Sequence, residues 1–336
     1  MSAWDFDVDA YNEGWTLREK LSFWLQFAAL APSAHNNQPW DVAILEDGII
    51  VRPNLELATA GIPRLTTVSL GAFVENFACA AEHFGFAVHM GKIPLSVPLS
   101  QLEIPLTVTW AGAKSDNPAF TGMTKRHTNR GLYQPEPLAE TTLKTLGDMP
   151  REENVTLHFI DSVEDKEQIA EMAGRGLRTA VTMPGLRREL ARFVKWEKED
   201  STVGMLVKAM VKNPVPSETG EQFILNGIDI PGEARFAYEK FRSTPLIVVV
   251  STPQDDMPSW LAVGRTVQRF LNLAASLGLA HCIAAAPTEI PPFVPRMKRL
   301  LATEGRPQLT FRIGFPQDPS FTHQSPRRTV SSIAGE

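Results

Sequence analysis

Residues 31–40 read "APSAHNNQPW". A helix-like run, "LREKLSFWLQFAAL" (17–30), leads into them, and a strand-like run, "DVAIL" (41–45), leads out. A plain helix-to-strand connection needs no such crowd of amides. Asn and Gln side chains each present a donor and an acceptor. That mixture suits two tasks. One is capping the neighbouring elements from within the loop. The other is holding the alternating C=O and N–H edge of a planar heterocycle. The density of amides beside Trp40 favours the second.

Working outward, Thr16 with Glu19 three residues on is a capping-box spacing, and it opens a helix over 16–30. "WDVAIL" and "GIIVRP" read as a strand pair joined at Glu46–Gly48. "TVSLGAFVENFACAAEHFGF" is a long, mostly apolar helix with little polar face. "PLTVTW" is a strand, and 111–136 is a polar loop. A helix near 138–147 precedes the strand "VTLHFI". Helix is expected from about 163 to 200, then irregular chain to 233 with Pro214, Pro216 and Pro231. "PLIVVVST" is a short apolar strand, "WLAVGRTVQRFLNLAASLGLA" a second long buried helix, and "LTFRIGFP" a last strand. The pattern predicts an α+β fold, with β-sheets flanked by helices.

An internal repeat is visible. Without gaps, "GAFVENFACAAEHFGFA" (71–87) lies over "GRTVQRFLNLAASLGLA" (264–280). Gly71 meets Gly264, Val74 meets Val267, Phe77 meets Phe270, and Gly85 meets Gly278. Ahead of the helices, "AALAPSAHNNQPWDVAI" compares with "KTLGDMPREENVTLHFI". Each half runs helix, polar loop, strand, buried helix, strand. A duplicated unit fused into one chain is the expectation, with the first unit at 1–120 and the second at 121–336.

The chain has 336 residues, 43% hydrophobic and 21% charged, which is an ordinary globular balance able to build a substantial core. A net charge of -5 gives no electrostatic case for nucleic acid or for an anionic membrane surface. Cys79 and Cys282 are the only cysteines and do not make a disulfide framework, so a cytoplasmic setting is expected. The N-terminal stretch lacks the apolar run of a secretory signal. No segment approaches the roughly 20 apolar residues of a membrane span.

Local basic clusters remain: "TKRHTNR" (124–130), "RMKRLL" (296–301) and "SPRR" (325–328). In extended chain, Arg126, Thr128 and Arg130 share a face. Two guanidiniums and a hydroxyl on one face suit a phosphate, because Arg offers planar bidentate donors. The alternative is a solvated basic loop. Arg327 and Arg328 add a second possible clamp. "GRGLRT" (174–179) follows helix rather than strand, so it fails as a dinucleotide loop. "TVSLG" lacks the first Gly of a nucleophile elbow. The His residues show no metal-ligand spacing. No acid–base constellation stands out, so an enzyme of this sequence would rely on a cofactor for its chemistry.

"APSAHNNQPW", "RHTNR", "AASLGLA", "RIGFP" and "PRR" occur in that order over about 16–330. Together they resemble the FMN-dependent nitroreductase family, and within it the long duplicated Acg-like members. The resemblance implies a nitroreductase-like fold of two tandem degenerate units forming a pseudo-dimer. It implies FMN, reduced by NAD(P)H, and a small-molecule electron acceptor such as a nitro compound or quinone. Carried over residue by residue, Pro32, Ser33, Ala34 and Asn36 face the ring. Arg126, Thr128 and Arg130 hold the phosphate, with Thr128 where the family has Ser, and Arg327 takes the C-terminal basic position. Ala284, Ala285 and Ala286 bring backbone N–H groups near the flavin. No catalytic side chain is implied. The amide loop has lost its Ser and Gln in the second half ("MPREENV"), and the Arg motif has no counterpart in the first ("VDAYN"). One FMN per chain is therefore expected, in a monomer or homodimer. An extra segment, about 196–231, would be a lid over the flavin. A lid-covered, FMN-sequestering protein with little turnover is the competing expectation.

Overall fold

Thr16 opens the first helix as its spacing predicts. Its Oγ accepts the Glu19 N–H at 3.3 Å, while the Glu19 carboxylate accepts the Thr16 N–H at 2.8 Å. The helix α1 (Leu17–Ala28) thus starts on a closed capping box. The computed structural model describes residues 4, 7–59, 61–211 and 214–335. The fold is α+β, and the chain clusters into two compact units.

Along the chain, β1 (Trp40–Ile44), β2 (Gly48–Pro53), α2 (Pro63–His83), β3 (Phe86–Met90), β4 (Ile104–Trp110) and α3 (Pro118–Met123) follow α1 in the first unit. The chain changes unit between Arg126 and His127. The second unit then holds α4 (Glu140–Gly147), β5 (Thr156–Ile160), α5 (Val163–Thr182), α6 (Pro184–Arg192), β6 (Val194–Lys195), β7 (Met205–Leu206), α7 (Gly220–Gln222), α8 (Ile230–Arg242) and β8 (Leu246–Thr252). The long helix α9 (Met257–Ser276) returns to the first unit. Strand β9 (Ala280–Ile283), helices α10 (Ala286–Glu289) and α11 (Val294–Leu300), and strand β10 (Arg306–Gly314) complete the second, and α12 (Val330–Ala334) closes the first. A split at 120/121 therefore differs from the compact units, because α9 and the tail cluster with the first stretch.

Each unit has one four-stranded antiparallel sheet, ordered β1-β2-β4-β3 in the first and β5-β8-β10-β9 in the second. Numbered by chain position, both read first, second, fourth, third. In both, the long helix precedes the third strand, and a left-handed glycine ends it: Gly85 at φ 86° and Gly278 at φ 78°. Two residues before the first strand of each sheet stands another left-handed residue, Gln38 at φ 50° and Asn154 at φ 62°. The units differ in one connection. Residues 45–47 join β1 to β2, whereas 161–245 separate β5 from β8.

Helix α2 packs on α9 in the first unit through Gly71 and Gly264. A Cβ on Gly71 would lie 2.3 Å from the Leu261 carbonyl oxygen, and one on Gly264 would lie 2.1 Å from that of Val68. Only glycine permits this approach at both positions. Beside it, buried Glu75 is bound by Arg269 Nη2 at 2.9 Å and Arg265 Nε at 3.2 Å. Asn76 Oδ1 accepts from Gln268 Nε2 at 2.7 Å and Asn272 Nδ2 at 2.9 Å. An apolar core fills the rest, with Trp24, Phe27, Trp40, Phe73 and Phe77 fully buried. In the second unit α5, α8 and α11 bury Ile169, Met172, Phe241 and Met297 against Ile247 and Val249 of β8.

The expected helix over 163–200 is two, because Pro184 lacks the N–H that would continue α5 and starts α6 instead, and helix stops at Arg192, with β6 in place of its expected last turns. The expected irregular chain past 200 gives way to α8 from Ile230. Strands β3 and β9 and helices α10 and α11 were not foreseen; each is short. Among the described residues no helix is long and apolar enough to cross a membrane.

Candidate functional site

The amide loop is a tight, strained turn. Ser33 Oγ accepts the Gln38 N–H at 2.9 Å, and the Ala34 N–H reaches Ser69 Oγ at 3.4 Å. Between them His35 and Asn36 have φ of 53° and 55°, a left-handed conformation that few non-glycine residues adopt. The amides hold it there. Asn37 Nδ2 donates to the Leu57 carbonyl at 2.7 Å. Asn36 Nδ2 and Gln38 Nε2 both donate to the Pro326 carbonyl, at 3.0 and 3.3 Å, and Gln38 Oε1 accepts the Arg328 N–H at 2.8 Å. Much of the amide crowding thus answers to the chain's own backbone, above all to the C-terminal tail.

The tail delivers Arg327 into this loop. Arg327 Nη1 donates to Asn36 Oδ1, and its Nη2 donates to the Leu30 carbonyl at 3.2 Å. Arg126 Nη2 donates to the same carbonyl at 2.9 Å. Two guanidiniums, 2% and 7% exposed, therefore converge on one oxygen. Burial pushes the Arg126 guanidinium down to about 10. Burial, and then the like charge of Arg126, holds that of Arg327 well below its ordinary value. The Nε of Arg327 is buried with no hydrogen-bond partner among the described residues. Two like charges buried this close repel, and an anion beside them would relieve that repulsion and take charge-assisted hydrogen bonds.

Arg328 does not share that role. Its Nη1 donates to the Trp40 carbonyl at 2.7 Å, and its Nη2 to Asp41 Oδ1 at 2.8 Å and the Ser332 carbonyl at 2.7 Å. It anchors the tail to β1 and α12. The two arginines expected as a clamp at 327–328 are therefore divided: Arg327 joins Arg126 at the Leu30 carbonyl, and Arg328 locks the tail that carries it.

Pro32, Ser33, Ala34, Asn36, Arg126 and Arg327 belong to the first unit, and Thr128, Arg130 and Ala284–Ala286 to the second. Thr128 makes a parallel bridge to His281, and Arg130 Nη2 donates to Met205 Sδ at 3.1 Å. The Ala284 N–H donates to the Thr310 carbonyl at 2.9 Å, extending the sheet, and Ala286 begins α10.

Sequence reasoning missed a polar cluster in the second unit. Cys282 on β9 pairs with Arg312 on β10. Arg312 is 1% exposed, donates to the Gly131 carbonyl at 3.1 Å, and lies 4.4 Å over the Tyr133 ring. Burial pushes the Cys282 thiol up, but Arg312, Arg130 and Lys240 together outweigh it and hold the thiol below its ordinary value. Burial, then Arg312, pushes Lys240 down to about 8. The available signal was a charged residue inside the otherwise apolar "TFRIG".

The 196–231 segment has a core of its own, residues 212 and 213 lying outside the described ones. Met205, Val207, Phe223 and Ile224 pack with Ala191 and Val194, and Arg187 ties the Ile224 and Leu225 carbonyls at 2.9 Å each. A π-helical turn, Phe223–Gly227, carries the last part.

No family model matches the chain. No curated protein matches it either. Solved structures similar to it include nitroreductase A from Vibrio parahaemolyticus, at 11% identity over 61% of this chain and 69% of that one, TM-score 0.35. A nitroreductase with bound FMN from Desulfitobacterium hafniense shares 13% identity over 63% of this chain and 94% of that one, TM-score 0.38. The NADPH:FMN oxidoreductase from Vibrio harveyi complexed with NAD+ shares 10% over 60% and 70%, TM-score 0.35. Values this low leave the functional reading to the residues themselves.

Proposed function

We propose that this chain is an FMN-binding oxidoreductase of the nitroreductase type, related to the long duplicated Acg-like members. The observation that carries the reading is the buried pair Arg126 and Arg327 meeting at the Leu30 carbonyl beneath the strained amide loop. A phosphate monoester is the anion that suits two planar donor forks. The matching strand orders and the reciprocal Gly71–Gly264 contact support descent from a duplicated unit, hence a pseudo-dimer within one cytoplasmic chain.

In this reading Arg126 and Arg327 bind the phosphate, with Asn36 holding Arg327 in place. Pro32, Ser33 and Ala34 form the ring-facing edge of the loop. Thr128, Arg130 and Ala284–Ala286 lie in the second unit, and the reading rests on the first unit's residues. FMN, when bound, supplies the redox chemistry, taking electrons from NAD(P)H for a nitro compound, quinone or other small acceptor. The chain's own residues bind, orient and exclude water, and none needs to transfer a proton. Whether the protein turns over or sequesters FMN depends on the 196–231 segment. Its residues pack with Ala191 and Val194 into a cluster of their own.

Arg126→Ala tests the assignment. Removing a charge-assisted partner from a buried phosphate costs on the order of 2–5 kcal/mol. Retained flavin should collapse while circular dichroism stays near wild type. A variant that keeps its full flavin load would remove Arg126 from the site.

A further inference from the structure

The motif "GRGLRT" (174–179) is not a dinucleotide loop, yet its glycines and arginines have a definite use in the second unit. It lies within α5. A Cβ on Gly174 would stand 2.8 Å from the Ala234 carbonyl oxygen of α8, so this glycine brings α8 close to α5. A groove of about 310 Å³ opens along the seam, and Arg175, Arg178, Arg235, Tyr238 and the carboxylate-bearing Glu171 are among the residues that line it. Arg175 and Arg178 stand three apart on α5 and so share a face. Arg235 reaches the same groove from α8.

Two carboxylates of α5 are already engaged. Glu171 pairs with Arg296 at 2.7 Å. Glu167 accepts the Tyr238 hydroxyl and pairs with Arg242 at 3.3 Å. Arg175 is steadied over the Phe293 ring at 5.8 Å. Among the described residues no carboxylate pairs with Arg178 or Arg235. The groove is thus a cationic spot on a chain whose net charge is -5. Its small floor and three guanidiniums leave room for several oxygens at once.

We infer that this groove is a second anion site, distinct from Arg126 and Arg327, that takes an oligophosphate chain. Three separate donor forks around a cavity near the lower size of ligand pockets suit several linked phosphates better than one. Inorganic tripolyphosphate and the triphosphate of ATP share that chemistry.

The test is calorimetric titration of the full chain with sodium tripolyphosphate at about 0.15 M salt, where purely diffuse attraction is screened. One saturable equivalent is expected. The exposed pair substitution Arg178→Ala/Arg235→Ala should weaken it at least tenfold, while Arg126→Ala and the remote Arg188→Ala leave it within twofold. A parallel titration with ATP assigns the source: tighter binding than tripolyphosphate marks a nucleotide, equal or weaker binding the bare chain. Absence of saturable binding overturns the inference. So does loss of binding in Arg126→Ala but not in the groove variant, or an equal loss in Arg188→Ala.

Discussion

Asn36 is the residue on which a ring-facing and a phosphate-positioning role part company. The geometry favours the second: its Oδ1 accepts from Arg327, and its Nδ2 donates to the Pro326 carbonyl at 3.0 Å. Asn36→Gly removes both bonds and keeps the backbone relaxed, because φ is 55° there and glycine tolerates that region. Arg327 retains the Leu30 and Pro326 carbonyls, at 3.2 and 3.0 Å, so the side chain loses one charge-assisted bond rather than its site. Such a bond contributes about 1.5–3 kcal/mol. At about 1.4 kcal/mol per decade, that is roughly 10- to 150-fold in FMN affinity. Riboflavin has the same ring and no phosphate, so its affinity should change less than twofold. Titrating both flavins by fluorescence quenching, in wild type and variant, separates the roles. An equal loss for FMN and riboflavin would place Asn36 at the ring and refute the positioning argument. Loss of neither would remove it from the site.

Gly71→Ala forces α2 from α9, since its Cβ would sit 2.3 Å from a backbone oxygen; overpacking of about 1–3 kcal/mol should lower the urea midpoint. Gly147→Ala, with nothing within 4 Å, should instead be neutral or stabilising by up to about 1 kcal/mol. Iodoacetamide should alkylate Cys282 in the native protein and spare Cys79, whose thiol burial pushes far up. The Cys282 rate should rise with pH through a midpoint below that of a free thiol, because three cations favour the thiolate. Lys240→Met should move that midpoint upward. An unmoved midpoint would take Lys240 out of the cluster.

The parts of the fold that announce themselves in sequence have a local cause. The capping box at Thr16 and Glu19, the apolar run of β8, and the long helices α2 and α9 are each decided within a few turns of chain. The gapless repeat pairs Gly71 with Gly264, and the structure puts the two in contact. In the stretches ahead of the helices Ile44 still lies over Ile160 and β1 over β5, while Pro150 falls two positions beyond Pro32. What stayed hidden is set by distant partners. Asn36 and Arg327 are 291 positions apart, and nothing local says that an amide of the loop will hold a guanidinium of the tail. The Cys282–Arg312 pair depends on the register of β9 against β10, and β9 is four residues long. Helix α8 was obscured by the prolines before it, although Pro231 sits in its first turn, where a missing N–H is harmless.

The central claim is one flavin held by one buried arginine pair per chain. Purified protein, saturated with FMN, freed of excess and then heat-released, should yield close to one equivalent of flavin per polypeptide. Its visible spectrum before release should show the flavin bands. A yield near two would contradict the single site, and a colourless protein that takes up no FMN would contradict the account as a whole.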